Sequence, residues 1–564
     1  AKWTPTARIA VFDESFPFFA NYAGGFGWGM GTKYPGDQKV GQYWLEQDGS
    51  AGTPITEFHG DLSKLSHLLF DVTTVGYQVR QAQRVAIVGG GGGRDILSAL
   101  VSGAFDIEVI EINPHTIEAV STRFAALSGD IYHVKGVTPF AAEGRSHLMH
   151  SRGGFDVIQI SLIDSWAASA AGAFALAENN LYTQEAFELY LDRLNDRGLL
   201  STSRWLVEMP RLLVLARSTL AARGVNHPER HMVLAYAGTA GTLLLSKSPF
   251  SEADLVQVAA VCESRGFNLL KLSDAENPEW QGFLARVAVG NYTELERLGL
   301  STAAPVDDSP YFFHTFSPFS LSEPPDLAKI AGGLPFNVKA PRVLQQAMLW
   351  VTGLALSLFF LPFVHSLLRR RRGAAAGPAP LLRATIYFAA IGAGFMLFEN
   401  MLVQRFVLYL GHPSYAATVI LSGLLLGMGL GATLATSFRV GRLQRLGGVV
   451  PLLLVVLVAA TPSLFTATLG LPLWLRVAAS LLLLAPTGAM LGLFFPLGML
   501  HFGDAMKPWY WAINGAFGVV ASVMSLAFSM EYGFTTVGYM SAGIYVLAWL
   551  CLRGSADWPV QPAL

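Results

Sequence analysis

The sequence predicts a small antiparallel β unit over residues 1–80, an α/β domain over 81–330 and an all-α membrane bundle of about seven helices over 343–553. Three observations support this. Of the 564 residues, 52% are hydrophobic and 14% are charged, and the long uncharged runs begin only near Leu344. Strand and helix patterns alternate in the middle of the chain, and five glycines follow the first of those strands.

The first 80 residues contain short β-like runs separated by turns. The runs "ARIAVF" and "GQYWLEQDGSAGTPITEF" read as strands, and "QDGS" is a plausible hairpin turn. A helix is predicted over Leu62–Gln78. This region therefore reads as a hairpin unit that leads into the next domain.

The central region alternates apolar strands with amphipathic helices. The strands are "RVAIV", "IEVIEI", "FDVIQISL" and "GLLSTSRW", followed by the pair "MVLAYAG" and "GTLLLSK". Helices are predicted at Arg94–Ser102, Pro114–Leu127, Gln184–Leu194, Met209–Arg223 and Ser251–Arg265. Continuous apolar strands are typical of buried parallel sheets, and alternating βα units predict a doubly wound sheet. Ligands of such sheets bind at the carboxyl ends of the strands.

The run Gly89–Gly93 lies at the carboxyl end of the first of these strands. Glycine allows positive φ and a close backbone approach to a ligand. Glu111 ends the second strand, about 22 residues after the first glycine, where an acid accepts hydrogen bonds from ribose hydroxyls. A third candidate, Glu143, stands before the next strand. The alternatives are a tight turn for the glycines, a solvated strand-end acid for Glu111 and a surface-loop carboxylate for Glu143.

These motifs resemble a known family. "VAIVGGGGGRDIL", "VIEINPHTIEAV", "AAEGRSHL" and "FDVIQISLIDSW", followed by "LYTQEAFELYL", are similar to the nucleotide-binding core of the spermidine synthases. That family has the Rossmann-like class I S-adenosylmethionine-dependent methyltransferase fold. The resemblance covers roughly residues 40 to 250, and the membrane half is similar to multi-spanning spermidine synthase-like proteins.

The resemblance implies a site for S-adenosylmethionine or decarboxylated S-adenosylmethionine. Glu111 would hold the ribose, and Glu143 and Gly144 would lie near the adenine. The remaining assignments place the methionine part of the nucleoside against Gly89, Gly90, Gly91, Gly93 and Asp95. No metal is implied.

The sequence departs from the family at two positions. Gly92 stands where the family's glycine loop has an aspartate, and Ser161 stands where its catalytic base would be. A serine cannot accept the proton of an attacking amine unaided, whereas a carboxylate can. Asp164 is the predicted replacement, with Trp166 stacking on a cation and Glu178 as a further candidate. Asp164 could equally be a loop or cap residue.

Seven segments after residue 343 are long and apolar enough to span a membrane of about 30 Å hydrocarbon thickness. The glycines at 423, 427, 429 and 431 suit close helix contacts. The segments are Leu344–Leu368, Ala384–Leu410, Pro413–Phe438, Leu446–Leu475, Val477–Gly503, Pro508–Met530 and Tyr532–Leu552.

The sequence predicts an inner-membrane protein, but the charges of its loops and the chemistry of its ligand predict opposite orientations in the membrane. The loops after the odd-numbered segments carry ten basic residues, among them Arg369–Arg372, and the opposite loops carry three. The positive-inside rule would place those ten in the cytoplasm and the soluble half outside. We nevertheless expect the soluble half at the cytoplasmic face, because the S-adenosyl donor is found there.

Glu399 and Arg405 lie six residues apart in the second segment, so they point in different directions on one helix. They indicate either a substrate or ion path, or buried groups that fix helix packing. Cys262 and Cys551 lie far apart, so neither a disulfide framework nor a metal site is predicted.

Two functions follow from these features. The first is a membrane-anchored transferase that moves an aminopropyl or methyl group from an S-adenosyl donor to a small amine or lipid-like acceptor. The alternative is an inactive scaffold of the same fold that binds other membrane subunits, as Ser161 and Gly92 suggest. A transporter with a nucleotide-sensing domain rests on Glu399 and Arg405 alone. The lipid bilayer is an expected partner and nucleic acid is not.

Overall fold

The computed structural model divides the chain into two compact units, Ala1–Ala340 and Pro341–Leu564. Within them it describes residues 1–4, 7–13, 24–36, 39–49, 51–163, 179–270, 276, 279–320, 340–370, 378–411, 413–435, 440–503 and 506–553.

The first unit begins with a four-stranded antiparallel sheet. Asp48 and Gly49 have positive φ in the turn of the predicted hairpin, and Gln47 pairs with Ala51 across it. The "QDGS" prediction is thus confirmed. In spatial order the strands are β1 (Lys2–Trp3), β2 (Arg8–Phe12), β3 (Gln42–Gln47) and β4 (Ala51–Thr56).

An eight-stranded sheet forms the centre of this unit, in the order β12-β10-β11-β9-β8-β5-β6-β7. β5 to β9 run parallel, and β11 is antiparallel to both of its neighbours. The strands are β5 (Arg84–Val88), β6 (Asp106–Glu111), β7 (Val137–Ala141), β8 (Phe155–Ser161), β9 (Leu194–Trp205), β10 (Met232–Ala237), β11 (Ala240–Ser246) and β12 (Asn268–Leu270).

Helices cover both faces of this sheet. Alternate residues of β5 therefore pack in two separate hydrophobic cores. Ile87 packs in the core that contains Ile96, whereas Val88 packs in the core that contains Phe187. The predicted Rossmann-like fold is confirmed. The helices are α1 (Val75–Val79), α2 (Arg94–Val101), α3 (Pro114–Glu118), α4 (Ala125–Ser128), α5 (Gly144–His150), α6 (Gln184–Arg193), α7 (Met209–Ala222), α8 (Glu252–Arg265), α9 (Trp280–Ala288) and α10 (Thr293–Arg297).

Two predicted helices are interrupted. In place of one helix over Leu62–Gln78, 3-10 segments cover Leu62–Phe70 and Val72–Thr74 before α1, because the extended Asp71 separates them. The predicted helix over Pro114–Leu127 is divided by a π turn at Ala119–Arg123 and by non-helical Phe124.

Within the described residues six helices, against the predicted seven, are long and apolar enough to cross a membrane, and the sixth of them has two arms. The last two predicted segments lie in one continuous 47-residue helical stretch, which the non-helical Gly533 divides into two arms. The helices are α11 (Ala340–Arg370), α12 (Pro378–Leu410), α13 (Pro413–Ala435), α14 (Val440–Gly447), α15 (Val450–Thr468), α16 (Leu473–Gly492), α17 (Phe494–Phe502) and α18 (Lys507–Arg553).

Gly533, with φ 84° and ψ 164°, reverses the course of α18. Before it, two residues of the first arm contact Phe388 of α12. The Tyr510 ring stacks on the Phe388 ring with 4.4 Å between centroids, and the side-chain amide of Asn514 donates to the Phe388 carbonyl oxygen. After it, Thr535 bonds to Arg405, and Ser541 donates to the Gly394 carbonyl oxygen. The second arm therefore returns along α12 in the opposite direction.

Glycines bring α13 and α16 into backbone contact, as predicted. A Cβ on Gly427 would lie 2.2 Å from the Ala485 carbonyl oxygen, and one on Gly431 would lie 2.0 Å from that of Ala489. A Cβ on Gly488 would in turn meet the Leu424 carbonyl oxygen at 2.4 Å. Gly429 is not part of this contact, since no atom of the described residues lies within 4 Å of its Cβ position.

Arg405 is a packing residue of the bundle. Its guanidinium donates to the Val458 carbonyl oxygen and to Thr461 Oγ1, both at 2.8 Å, and to Thr535 Oγ1 at 2.6 Å. These bonds join α12 to α15 and α18. Glu399 is equally buried, and among the described residues no ion pair joins it to Arg405.

Candidate functional site

The site is expected where the strand order of the large sheet reverses. β5 lies between β6 and β8, so the chain proceeds from β5 to β7 on one side and then returns to β8 on the other. In open α/β sheets ligands bind outside the carboxyl ends of the strands at this reversal. Here those ends are Val88, Glu111 and Ser161.

The glycine run connects β5 to α2. The surrounding protein atoms leave no room for side chains at these five positions. A Cβ on any of the five would meet a protein atom at 3.0 Å or less. Gly93, at φ 90°, begins α2 in the left-handed conformation that favours glycine. The nearest atoms belong, from Gly89 to Gly93 in order, to Ile163, Tyr132, Thr53, Pro54 and Ile131.

Gly92 packs most tightly against the first sheet. Its Cβ position lies 2.2 Å from the carbonyl oxygen of Pro54 in β4 and 3.1 Å from the amide nitrogen of Ile55. Backbone atoms cannot move aside as a flexible side chain can. The aspartate that the resemblance would place here is therefore excluded by the hairpin.

Glu111 ties the end of β6 to the glycine run. Its Oε2 accepts from the Gly91 amide at 3.0 Å and its Oε1 from the Asn113 amide at 3.0 Å. The side chain is 7% exposed, and burial raises the pKa of its carboxyl. The Ile112 amide also faces this carboxylate, so at least one of its about four lone-pair sites remains for a ligand.

Glu143 and Gly144 lie at the same edge of the sheet. The Glu143 carboxylate caps α5 by accepting from the amides of Arg145 and Ser146 at 3.0 and 2.7 Å. A Cβ on Gly144 would meet Val88 at 2.4 Å, which places the start of α5 directly beside the end of β5. Glu143 is therefore a helix cap rather than a freely solvated loop carboxylate.

Ser161 ends β8 beside the first turn of α2. Its hydroxyl accepts from Gln159 Nε2 at 2.6 Å, and burial raises the pKa of the nearby Asp95 carboxyl. The chain then turns through Leu162, whose φ of 48° is rare for a residue with a branched side chain. Asp164, Trp166 and Glu178 lie outside the described residues, so their predicted roles stay predictions.

Sequence reasoning missed the ion pairs that support this edge. Arg94, 3% exposed, pairs with Asp71, which is fully buried. The sequence signal for this ion pair was the position of Arg94, between the glycine run and Asp95 at the N-terminus of a helix. The helix dipole does not favour a cation there, so the arginine indicates an acidic partner elsewhere.

A second missed feature is a clasp formed by Arg145, Thr183, Glu185 and Asp307. Arg145 bonds Asp307 through two N–H···O contacts of 2.5 and 2.6 Å, and Thr183 Oγ1 donates to the same carboxylate at 2.7 Å. The Asp307 amide donates to Glu185 Oε2 at 2.9 Å. The clasp joins the first turns of α5 and α6 to the segment "PVDDSP".

The clasp predicts a pH-dependent stability. Burial and the charge of Asp307 raise the pKa of Glu185 to about 7, above the ordinary value near 4.3. A raised carboxyl pKa adds stability that is complete at low pH and is lost as pH rises through the folded-state pKa. The free energy of unfolding, measured by urea titration of the full chain, should therefore be lower at pH 8 than at pH 5.

Glu185→Gln should remove this decline, because the amide stays neutral throughout. Glu188→Gln is the matched control one turn further along α6, where the carboxylate only accepts from Gln184 at 3.1 Å. An unchanged pH profile in Glu185→Gln would show that the clasp does not titrate in this range.

No protein-family model matches the chain, and no curated protein matches it in a sequence comparison. Similar solved structures include a spermidine synthase from Thermotoga maritima, at 18% identity over 38% of this chain and 72% of that chain, with a TM-score of 0.27. A probable spermidine synthase from Corynebacterium glutamicum matches at 15% identity over 45% of this chain and 90% of that chain, with a TM-score of 0.31.

Human methyltransferase-like protein 13 in complex with SAH matches at 15% identity over 35% of this chain and 87% of that chain, with a TM-score of 0.24. Matches with identities and TM-scores this low do not assign a role to any residue of the site. The site rests on the contacts within this chain.

Proposed function

We propose that the first unit binds an S-adenosyl-type nucleoside at the reversal of strand order and transfers an aminopropyl or methyl group from it to an amine. The observation that carries this is the meeting of three strand ends at one edge. Glu111 is held to Gly91 there, Gly144 packs on Val88, and Ser161 accepts from Gln159 at the end of β8.

Each part has a role in this proposal. Glu111 accepts from a ribose hydroxyl with its remaining lone-pair capacity. The start of α5 beside Val88 forms a wall for the adenine. Ser161 at the end of β8 and Asp95 in the first turn of α2 stand where the reacting end of the donor would lie. The helices of the second unit would anchor the enzyme in a bilayer and bring it to a small amine or lipid-like acceptor.

Isothermal titration of the full chain tests the donor site. S-adenosylmethionine, its decarboxylated form and methylthioadenosine are the ligands to titrate, and at least one should bind with micromolar affinity. If none of the three binds, the transferase proposal is wrong.

Glu111→Gln should weaken nucleoside binding by about tenfold to a hundredfold, which corresponds to about 1.4 to 2.8 kcal/mol. The new amide group would face either the Gly91 or the Asn113 amide, both donors, and one acceptor for the ribose would be lost. Glu118→Gln, at an exposed ion pair with Lys2, is the control and should bind as the wild type does. Equal affinities in both variants would remove Glu111 from the site.

One observation favours the inactive scaffold as a second candidate. Gly92 cannot carry the acid of the family's glycine loop, and Ser161 has no carboxyl group of its own. A scaffold that keeps the nucleoside pocket would bind ligand without turnover and would copurify with other membrane subunits. Titration followed by a product assay with a panel of amines separates the two.

A further inference from the structure

Glu399 places a carboxyl group deep inside the membrane-spanning part of α12. It lies 11 residues before the end of the span Leu381–Leu410, so about 16 Å of helix separate it from that end. This distance is half of the ~30 Å thickness of a hydrocarbon core. Glu399 is 7% exposed, and no described residue forms a hydrogen bond or an ion pair with it.

The side of α12 that carries Glu399 packs against the first arm of α18, residues 507–532. The Asn514 side-chain amide donates to the Phe388 carbonyl oxygen at 3.2 Å. Further along both helices, the Cβ position of Gly518 lies 3.3 Å from Met396 Cγ. Because the residue numbers increase together, the first arm runs parallel to α12.

Ser525 of the first arm lies at the level of Glu399. Glu399 follows Phe388 by eleven residues, and Ser525 follows Asn514 by eleven residues. Eleven residues make about three turns of a helix, so each of the two positions returns to the side on which the helices meet. Ser525 has no exposed surface, and its hydroxyl oxygen has no hydrogen-bond partner among the described residues.

The titratable groups of α13 and α16, which also pack against α12, lie near one end of that helix. Arg476 of α16 donates to the Tyr409 carbonyl oxygen, about 15 Å along α12 from Glu399. Tyr415 lies in the first turn of α13, which begins just after α12 ends. Neither group therefore faces Glu399.

The titratable group of α17 lies near the other end of α12. His501 adjoins Phe502, and the ring of Phe502 lies 5.5 Å from that of Tyr387. Tyr387 is about 18 Å along the helix from Glu399. His501 is thus too distant to pair with the carboxyl group.

α18 brings no cation to Glu399 either. Its first arm has no titratable residue between Tyr510 and Glu531. Its second arm packs on the side of α12 where Arg405 donates to Thr535 Oγ1, and Tyr539 of that arm is 42% exposed. Within the described residues, Glu399 and Ser525 are therefore a carboxyl and a hydroxyl that no charged group compensates.

A proton is the cation that fits this position. An ionised carboxylate without a partner is costly in an apolar environment, and such a group becomes neutral by binding a proton. Metal ions such as Ca²⁺ and Mg²⁺ require about six or more oxygen ligands, whereas a carboxyl and one hydroxyl offer three. The described residues also contain no group of three His, Cys, Asp or Glu side chains that could hold a metal ion.

We propose that Glu399 is a proton-binding site inside the second unit and that Ser525 is its hydrogen-bonding partner. The carboxyl O–H bond breaks when a base such as water or an amine enters the bundle, and the base leaves as its conjugate acid. The electron pair of that bond stays on the carboxylate until another proton binds. Reversible proton exchange is a function that anchoring does not require, and it does not depend on nucleoside binding by the first unit.

Infrared difference spectroscopy of the full chain at pH 8 tests the proposal. At this pH about one in 5,000 carboxyl groups with the ordinary pKa near 4.3 is protonated. The spectrum of wild type minus Glu399→Gln should nevertheless show the C=O stretching band of a protonated carboxyl, and the band should shift in D2O because the proton exchanges. Glu531→Gln, which replaces the exposed acid of α18, is the matched control and should give no such band.

Ser525→Ala should move the band to higher frequency, because the carboxyl loses a hydrogen bond. Ser522→Ala is the control on the same helix: Ser522 Oγ donates to the Gly518 carbonyl oxygen at 3.0 Å, so this variant should leave the band where it is.

The absence of the band at pH 8 would show that Glu399 is ionised and would overturn the proposal. A band that does not shift in D2O would exclude exchange, and a band that Ser525→Ala leaves unchanged would exclude Ser525 as the partner. Thermal unfolding is an independent check, since Glu399→Gln should unfold at the wild-type temperature if the native carboxyl is neutral. A large loss of thermal stability in this variant would contradict a protonated Glu399.

Discussion

Arg94→Gln is expected to lower the free energy of unfolding of the first unit by about 3 to 5 kcal/mol. The substitution removes the only guanidinium that pairs with Asp71 within the described residues, and Asp71 has no exposed surface. It leaves two buried carboxylates, Asp71 and Asp95, without a cation. Urea titration of the full chain, followed by tryptophan fluorescence, measures the loss.

The loss should be larger at pH 8 than at pH 5. Burial already raises the pKa of Asp95, and the variant lacks the charge of Arg94 that lowers it, so the folded-state pKa of Asp95 rises further above the unfolded one. Stability then falls as pH rises through the folded-state value. Arg152→Gln is the control: Arg152 is largely exposed, its pair with Asp106 spans 3.3 Å, and a loss below about 1 kcal/mol is expected. Equal losses in the two variants would contradict the buried-pair account.

Gly92→Asp, which would restore the acid of the resembling family, is expected to destabilise the first unit by about 3 kcal/mol. The new Cβ would lie 2.2 Å from the Pro54 carbonyl oxygen, so either β4 or the glycine loop must move. Nucleoside binding should be lost together with the stability, because the same loop carries the amide that Glu111 holds.

Gly103→Asp separates crowding from backbone strain. Gly103 has φ 95°, and no atom in the described part of the chain lies within 4 Å of its Cβ position, so only the strain of a left-handed residue remains, about 1 to 2 kcal/mol. If Gly92→Asp is no less stable than Gly103→Asp, the hairpin does not restrict the loop. Thermal unfolding of the two purified variants gives the comparison.

Local patterns predicted most of the α/β architecture. The apolar runs of β5, β6 and β8 and the glycine run each depend on residues that are adjacent in the sequence. Glu111 could be predicted because its distance from the glycines is set by one strand–helix–strand unit.

The unpredicted features depend on contacts between distant residues. Asp71 interrupts the predicted helix because it is bound by the Trp28 amide, 43 residues away, and by Arg94. Arg145 and Asp307 are 162 residues apart in the sequence. The packing of Gly92 on Pro54 is equally invisible, since a glycine run shows that side chains are absent but not which atoms occupy the space.

The reversal at Gly533 determines which loops share an end of the bundle. The two arms of α18 run along α12 in opposite directions: Tyr510, near the start of the first arm, lies on Phe388, and Tyr545, near the end of the second, lies 3.0 Å from the Cβ position of Gly394. Lys507 and Arg553 therefore lie at one end of the bundle. Reporter enzymes inserted before Lys507 and after Arg553 should give the same topology signal, so the basic residues of both positions belong to one face.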